Sequence, residues 1–513
     1  MTLTARENPR SVRKDIDGLT SIDRAATIPP MQQLRRGLLI VLILALFIGA
    51  AIAIVSLVQQ TQALQAQLDE SRQHSSDLQS QLDTATAQLP PLQNQIKDLQ
   101  TQIDALTRQL KDAGLKIAPF ISPQNNATMD QIEQDVQQIR GLTATRSVTR
   151  TLLTKDELRQ HVIAMQEKDY TQADAQRDTL TLSALDLLTP TFDLYKFTID
   201  LFAEQIAGFY EPDTKQLYVI AAPGNLSTLE KITFAHEFDH ALQDQHFDLS
   251  QLGFTNDKSK EVADADRQLA YLSLVEGDAT LLMQQWAQAK LSALDLLGAT
   301  TGTPDTPVFN TAPRISREKL MFPYFSGLNF VINLYSTGGW PALDKAFVNP
   351  PVSSEQILHP DRYPSDQPMT VTLPGFTTTL PAGWHEVDEN TLGEFMLREY
   401  LGQYVTRTVD IDLAAEGWGG DRYAVYASSD NKQDVLVIDS IWDSAKDADE
   451  FTQVYQAYAA NRFESPATRT DASGEWWTGP DVLNFSHSDD HTRIILGPNE
   501  SIVQAIVQAM NQQ

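Results

Sequence analysis

The first part of the chain shows two hydrophobic patterns in succession, preceded by a polar segment. Residues 1–36 are polar, contain most of the early arginines and lack apolar periodicity, which is typical of a disordered tail. Residues 37–58 form an unbroken run of apolar and small side chains, long enough for one helix to cross about 30 Å of hydrocarbon. Basic residues crowd the N-terminal side of this run, so the positive-inside rule predicts a cytoplasmic N-terminus and an extracytoplasmic remainder. We therefore predict a single-pass anchor in the cell membrane at residues 37–58, with a cleaved signal peptide as the alternative.

A heptad repeat follows over residues 64–117. Apolar residues recur at two positions of seven, and Gln, Asp, Ser and Thr fill most other positions, which predicts a coiled coil over residues 59–117. Pro90-Pro91 interrupts the helix, because proline lacks the amide hydrogen. The segment is either a parallel stalk that joins copies into a homo-oligomer or a pair of helices that folds back at the prolines; the unbroken register favours the stalk. Residues 118–129 are rich in proline and asparagine and are predicted to be a linker.

The rest of the chain changes its hydrophobic period near residue 366. Residues 130–365 are mostly helical in pattern, with one predicted β-hairpin at 208–220 that turns at Pro212-Asp213. Later runs alternate with the period of strands, with a helix at 445–460; the alternating runs are 369–373, 422–427, 434–441 and 492–496. We predict an α+β fold, with a mainly helical domain and small sheet at 130–365. Residues 366–513 then form either a separate α+β domain or a large β-rich subdomain.

Composition excludes several kinds of chemistry. The chain of 513 residues contains no cysteine, which excludes disulfides, thiolate metal sites and cysteine nucleophiles. Its formal net charge of -28 makes it repel nucleic acid, so no nucleic-acid partner is expected.

The strongest chemical motif is the run His236-Glu-Phe-Asp-His240. Residues four apart lie on one face of a helix, so His236 and His240 can bind the same metal ion. Glu237 then lies beside the ion, where a carboxylate can act as a general base. This is the HExxH arrangement of zinc hydrolases. Asp239 is an unusual acid within such a motif, and on a helix it points away from the metal face.

A catalytic zinc site needs a third protein ligand, and the sequence offers two. His246 has the spacing of the metzincin pattern HExxHxxGxxH, but Gln243 stands where that pattern has the glycine that turns the chain. If the helix continues, His246 points away from the metal. Glu276 lies in an apolar context on a later predicted helix, and a buried acid needs a partner such as zinc. We therefore favour Glu276. Asp278 is either an acceptor for a ligating histidine or an acid on the helix surface.

The central region resembles the zincin-type zinc metallopeptidases of the gluzincin kind and, more narrowly, membrane-anchored metallopeptidase-like proteins of bacteria. The resemblance covers about residues 130–365 and rests on the segments 207–212, 236–246, 276–279, 322–324 and 354–360. It implies a zinc ion (Zn²⁺) held by His236, His240 and Glu276, with Glu237 catalytic and a peptide or protein as substrate. It also implies that the hairpin at 208–220 offers a strand edge to an extended peptide.

Peptide hydrolysis also needs a donor that stabilises the developing oxyanion. Our candidates are His359 and Tyr363, because they follow the ligand helices in a loop that could reach back; Tyr210 and Tyr324 are alternatives. Two other functions remain open. One is a non-catalytic envelope scaffold that binds a partner, and the other is a zinc hydrolase of a non-peptide amide bond, such as one in the cell wall.

Overall fold

The computed structural model describes residues 121–220, 225–301 and 306–512, together with the isolated positions 95, 98 and 102. Apart from those three positions, the predicted tail, membrane anchor and coiled coil lie outside the described residues and stay predictions. No helix in the described ranges is long and apolar enough to cross a membrane. The described part of the chain has a mixed α+β fold.

The segment before residue 366 is mainly helical and contains one small sheet. Its helices are α1 (Pro123–Arg140), α2 (Lys155–Asp169), α3 (Gln172–Ala184), α4 (Leu194–Gln205), α5 (Thr228–Phe247), α6 (Ala265–Lys290), α7 (Ala293–Thr301), α8 (Pro307–Thr311), α9 (Arg314–Phe322), α10 (Leu328–Gly338), α11 (Trp340–Val348) and α12 (Ser354–Leu358). A π-helical turn, Pro323–Gly327, joins α9 to α10. The strands β1 (Thr149–Leu153), β2 (Gly208–Glu211) and β3 (Gln216–Ile220) pair in the order β1-β3-β2.

The local signals around the metal motif are confirmed. The predicted hairpin is the antiparallel pair β2–β3, in which Gly208 lies opposite Val219. Ser227 caps α5, since its hydroxyl accepts from the backbone N–H of Glu230 while the Glu230 carboxylate accepts from the N–H of Ser227. This capping box satisfies two amides that a helix start leaves without intrahelical partners. Helix α5 therefore follows β3 in the chain and begins at Thr228.

The predicted linker is wrong in its second half, because α1 begins at Pro123. The Ser122 hydroxyl accepts from the backbone N–H of Asn125 and so caps the helix. Pro123 occupies the first helical position, where a missing N–H has no consequence and the fixed φ angle suits a helix. The proline that suggested a break is therefore a helix start.

Helix α6 and the π-helical turn approach each other with almost no side chain between them. A Cβ atom added at Gly277 would lie 2.4 Å from the carbonyl oxygen of Gly327, and one added at Gly327 would lie 2.2 Å from that of Ser273. Only glycine permits such contact between backbones. Because Gly277 follows Glu276 directly and Tyr324 lies within the turn, the contact brings Glu276 and Tyr324 together.

The segment after residue 366 forms a seven-stranded sheet with helices on both sides. Its strands are β4 (His385–Asn390), β5 (Trp418–Ala427), β6 (Asp434–Trp442), β7 (Arg469–Asp471), β8 (Gly474–Thr478), β9 (Val482–Ser488) and β10 (His491–Gly497). Its helices are α13 (Gly393–Leu401), α14 (Thr408–Ala415), α15 (Ala445–Arg462) and α16 (Glu500–Met510). The strand order β4-β5-β6-β10-β9-β8-β7 is antiparallel throughout. The predicted runs 422–427, 434–441 and 492–496 all lie in these strands, and the predicted helix 445–460 lies in α15.

The predicted strand at 369–373 is not formed. These residues have no ladder partner, and Met369 lies against the backbone of β5, where its N–H donates to the carbonyl of Gly419 at 2.7 Å. A Cβ atom at Gly420 would lie 2.3 Å from the carbonyl oxygen of Met369. Gly419 and Gly420 therefore make room for Met369, a role that alternation of side chains does not reveal.

The helical segment and the large sheet share one buried core. Tyr423 and Val425 of β5 belong to a cluster that also contains residues of α6, α10 and α11, whereas Ala424 and Tyr426 face α16. The two segments are also joined by Arg462 of α15, whose Nε lies 2.6 Å from the carboxylate of Asp186, next to α3. Of the two alternatives for residues 366–513, this shared core favours the β-rich subdomain.

Replacing Gly277 by alanine is expected to force α6 away from the π-helical turn. Overpacking of this kind lowers the free energy of unfolding by about 1–3 kcal/mol, which urea denaturation of the full-length chain would measure. Gly375→Ala is the matched control, since no heavy atom lies within 4 Å of the added Cβ. If Gly277→Ala were as stable as Gly375→Ala, the close backbone contact would be refuted.

Candidate metal centre

Two histidines on one face of α5 and one glutamate on α6 bring three donor atoms together. The Nε2 atoms of His236 and His240 are 3.1 Å apart. The Oε2 atom of Glu276 lies 3.2 Å from His236 Nε2 and 3.5 Å from His240 Nε2. The three side chains are only 11–14% exposed, so the cluster is mostly buried but reachable from one side.

These distances fit a tetrahedral metal ion. Bonds of about 2.0–2.1 Å at tetrahedral angles hold the ligand atoms about 3.3–3.4 Å apart, and the three measured distances lie close to this value. Two imidazoles and one carboxylate also match the donor set of catalytic zinc sites, which leave a fourth position open. The sequence prediction for His236, His240 and Glu276 is thus consistent with the geometry.

A second group of possible metal ligands differs from the histidine–glutamate cluster because an arginine already lies within it. Among the described residues, Glu355, Asp366 and Asp443 are the other group of at least three possible ligands. One guanidinium nitrogen, Nη1 of Arg362, lies within ion-pair distance of all three carboxylates. Arg362 therefore satisfies this group, whereas no lysine or arginine pairs with Glu276 in the described part of the chain.

The electrostatics of the donor cluster favour bound positive charge. Burial alone would raise the pKa of Glu276, but the adjacent His240 and His236 bring it below its usual value. Burial opposes a charged His240, yet Glu276 and Glu237 raise the pKa of this imidazole to about 10. A proton and a metal ion thus compete for the same ring nitrogen, as expected for a metal site.

Glu237 lies beside the cluster and is held from the strand side. Its Oε2 accepts from the backbone N–H of Tyr210 on β2 at 2.9 Å. Burial raises the pKa of the Glu237 carboxyl, while His236 and His240 act in the opposite direction. Gly208 permits this approach, because a Cβ atom there would lie 3.4 Å from Glu237 Cγ and 2.9 Å from Thr233 Cγ2.

Gln243 orients the ring of His240 through Nδ1, the nitrogen that faces away from the donor cluster. Its Oε1 lies 2.9 Å from His240 Nδ1. Its Nε2 donates to the Asp278 carboxylate at 2.9 Å and to the carbonyl of Val275 at 3.0 Å. Asp278 is fully buried, so the surface-acid alternative is wrong, and its contact with His240 runs through Gln243.

A buried arginine completes this chain of contacts. The Nε of Arg140, the last residue of α1, lies 3.2 Å from the same Oδ2 atom of Asp278. Asp239 also lies on this side of α5, away from the metal as predicted, and its Oδ2 accepts from Gln243 Nε2 at 3.3 Å. Burial and the neighbouring Asp278 raise the pKa of Asp239.

His246 is placed away from the cluster, as the continuous helix predicts. Helix α5 runs on to Phe247. The Nε2 of His246 lies 2.8 Å from the backbone carbonyl of Thr143. The side of the helix that carries His246 thus faces the segment after α1.

The structure gives His359 and Tyr363 no contact with the donor cluster. His359 Nε2 lies 3.0 Å from Glu394 Oε1, and the Tyr363 hydroxyl donates to the carbonyl of Asn349 at 2.6 Å. Tyr210 is also engaged, since its hydroxyl donates to Asp244 at 2.8 Å. Each of these three groups already has an acceptor elsewhere.

Tyr324 is the tyrosine that lies at the cluster. Its ring centroid is 6.4 Å from that of His236, and its hydroxyl lies near Glu276. Burial, together with Glu276 and Glu237, raises the pKa of this phenol well above its usual value. The hydroxyl therefore keeps its proton and can donate it. Single-turn π-helices occur often at functional sites, and this one carries Tyr324.

Sequence reasoning missed Gln243 and Arg140 as parts of the site. A signal for Gln243 existed, because it is a polar residue one turn after His240 at the position where the metzincin pattern has glycine. Arg140 carries no local signal, since it lies 138 positions from Asp278 and 204 from Asp344, and only the packing of α1 brings it there.

Comparisons with known proteins cover one part of the chain. A family model described as a domain of unknown function (DUF8575) matches residues 378–507. This range contains the seven-stranded sheet, and both ligand-bearing helices lie outside it. Neither the curated proteins nor the solved structures contain a match. The function has to be inferred from the geometry of the chain's own residues.

Replacing Glu276 by glutamine is expected to release the metal. The amide keeps the shape but loses the charge and most of the ligand strength, whereas His246→Gln alters a side chain outside the cluster. Metal content of the full-length chain, measured by atomic emission after exposure to zinc and gel filtration, should fall for Glu276→Gln and stay at the parent's level for His246→Gln. The reverse result would identify His246 as the third ligand.

Proposed function

We propose that this protein is a zinc-dependent peptidase of the zincin type, anchored in the cell membrane with its catalytic part outside the cytoplasm. The observation that carries the proposal is the triangle of His236, His240 and Glu276 donor atoms, 3.1–3.5 Å apart, with Glu237 beside it. The donor set fits zinc. The helix-borne HExxH motif with a glutamate on a second helix supports the gluzincin kind.

In the proposed mechanism, the metal ion and the protein side chains have separate roles. Zinc bound by the three ligands would supply the Lewis acidity that activates a water molecule and polarises the scissile carbonyl. Glu237 takes a proton from that water and delivers it to the leaving amine. Its buried position supports this role, because a raised carboxyl pKa suits proton transfer near neutral pH. The backbone N–H of Tyr210 keeps the carboxylate in place.

The free edge of β2 is the proposed docking line for an extended peptide. Ile220 N–H donates to Ala207 carbonyl, so in the register of this hairpin the backbone groups of Gly208 and Tyr210 point away from β3. The N–H of Tyr210 is taken by Glu237, which leaves Gly208 and the carbonyl of Tyr210 for a substrate strand. Strand addition of this kind gives affinity through the main chain, so a peptide or protein is the proposed substrate.

Tyr324 is the proposed donor to the developing oxyanion. Its hydroxyl lies at Glu276 and keeps its proton, so it can donate a hydrogen bond to charge that appears at the metal's open side. It takes the place of His359 and Tyr363, whose polar atoms contact Glu394 and Asn349, outside the donor cluster.

The proposed location and assembly rest on sequence patterns alone. The apolar run 37–58 supports the single-pass membrane anchor, and the heptads of 59–117 support a homo-oligomer.

Glu237→Gln is expected to abolish most turnover while the metal stays bound. Loss of the general base lowers the rate by about 100- to 10,000-fold, which digestion of casein or a peptide library by the full-length chain would measure. Zinc content serves as the internal control. A parent without zinc, or a variant as active as the parent, contradicts the peptidase proposal. Zinc with cleavage of cell-wall amides alone indicates the non-peptide hydrolase, and zinc without turnover indicates the scaffold.

Tyr324→Phe is expected to lower kcat by about 100- to 1,000-fold, the usual effect of removing one oxyanion donor. Tyr363→Phe is the matched control, because it removes a hydroxyl that donates to Asn349. Steady-state kinetics on one cleaved peptide would compare them. A larger loss in Tyr363→Phe would restore the original assignment from the sequence.

A further inference from the structure

The C-terminal residue of α1 lies beneath the metal-bearing helices. Helix α1 packs against both α5 and α6. Arg140 is its last residue and is 1% exposed. Its guanidinium contacts Asp278 at 3.2 Å and Asp344 at 2.8 Å, and it stacks on the Trp340 ring at 4.6 Å. Because Asp278 lies on α6 and both Asp344 and Trp340 lie on α11, two other helices fix its position.

The orientation of the Gln243 amide follows from its surroundings. The Nε2 side faces the backbone carbonyl of Val275, which can only accept a hydrogen bond, and the side chains of Asp278 and Asp239. The amide oxygen must therefore face His240 Nδ1, which lies 2.9 Å away. Because this oxygen can only accept, Nδ1 carries a hydrogen, so the neutral form of His240 has its lone pair on Nε2. That atom is the one that faces His236 and Glu276.

Arg140 is the cation that keeps this arrangement in place. A carboxylate buried without its counter-ion is strongly unfavourable, so without the guanidinium Asp278 would leave its position. Gln243 would then lose the acceptor that fixes its amide. Metal-bound imidazoles depend on such outer partners for ring orientation.

We propose that Arg140 is a positioning residue for the metal centre, acting through Asp278 and Gln243 on the ring of His240, so that docking of α1 sets the affinity of the site for its metal ion. This inference rests on the proposed metal site but not on the hydrolysis of peptides. It assigns α1, which lies outside both ligand helices, a role in metal retention.

The test measures the affinity of the full-length chain for Zn²⁺ by competition with a chromophoric chelator. Arg140→Met should bind zinc about 10- to 100-fold more weakly than the parent, the usual effect of losing an outer partner. Arg462→Met is the matched control, since it also removes a largely buried guanidinium paired with aspartates, but outside this chain of contacts. Its zinc affinity should equal the parent's.

A double-mutant cycle tests whether Arg140 acts through Gln243. Gln243→Met should weaken zinc binding by itself, and it keeps the Arg140–Asp278 pair, so it is informative even if Arg140→Met fails to fold. The double variant should bind zinc no more weakly than the weaker-binding single variant, because both changes interrupt the same chain of contacts. The proposal is overturned if the two losses of zinc affinity multiply in the double variant, or if Gln243→Met binds zinc like the parent.

Failure of this inference can be told from failure of the proposed function. A parent that binds zinc but cleaves no peptide contradicts the peptidase alone, and the comparison of Arg140→Met with Arg462→Met still decides the inference. Equal zinc affinities of those two variants contradict the inference alone. A parent that binds no zinc contradicts both.

Discussion

The site depends on holding three electron-rich atoms within 3.5 Å of one another in a mostly buried place. Two imidazole nitrogens and a carboxylate oxygen are stable there only with a positive charge between them, whether a proton or a metal ion. The rest of the fold has to prevent the donors from separating when the charge leaves. Catalytic sites built on rigid elements with packed second layers meet this requirement, and here the rigid elements are α5 and α6.

Helix α5 is fixed on the side that faces β2 and on the side that faces α6. On the strand side, the backbone N–H of Tyr210 donates to Glu237, which ties the edge strand β2 to α5. On the other side, Gln243 joins α5 to α6 through Asp278 and Val275. Two buried acids beneath one helix would be unfavourable without a cation, and Arg140 supplies it. The metal motif is thus one surface of a larger buried polar network.

Local chemistry made much of this structure predictable, and distant packing made the rest unpredictable. The ligand pair, the capping of α5 and the hairpin each follow from residues a few positions apart. Glu276 could be predicted because a glutamate among apolar residues needs a partner. The choice among tyrosines could not be made, because Tyr324 reaches the cluster only through the contact of Gly277 with Gly327. Arg140 was missed for the same reason. The strand at 369–373 was wrongly predicted, because Met369 lies against the backbone of Gly419 and Gly420 and does not pair in the sheet.

The segment matched by the family model influences the site through the start of α6. The backbone N–H of Ala265 donates to Asn390, and Thr391 donates to Asp264, the residue that caps α6. Gly393 has a positive φ angle and packs directly on Asp266, where a Cβ atom would lie 1.9 Å from the carboxylate. The large sheet therefore holds the N-terminal end of α6, while the π-helical turn holds its middle at Gly277. Since α6 carries Glu276, the sheet is best understood as a support that fixes this carboxylate against the two histidines of α5.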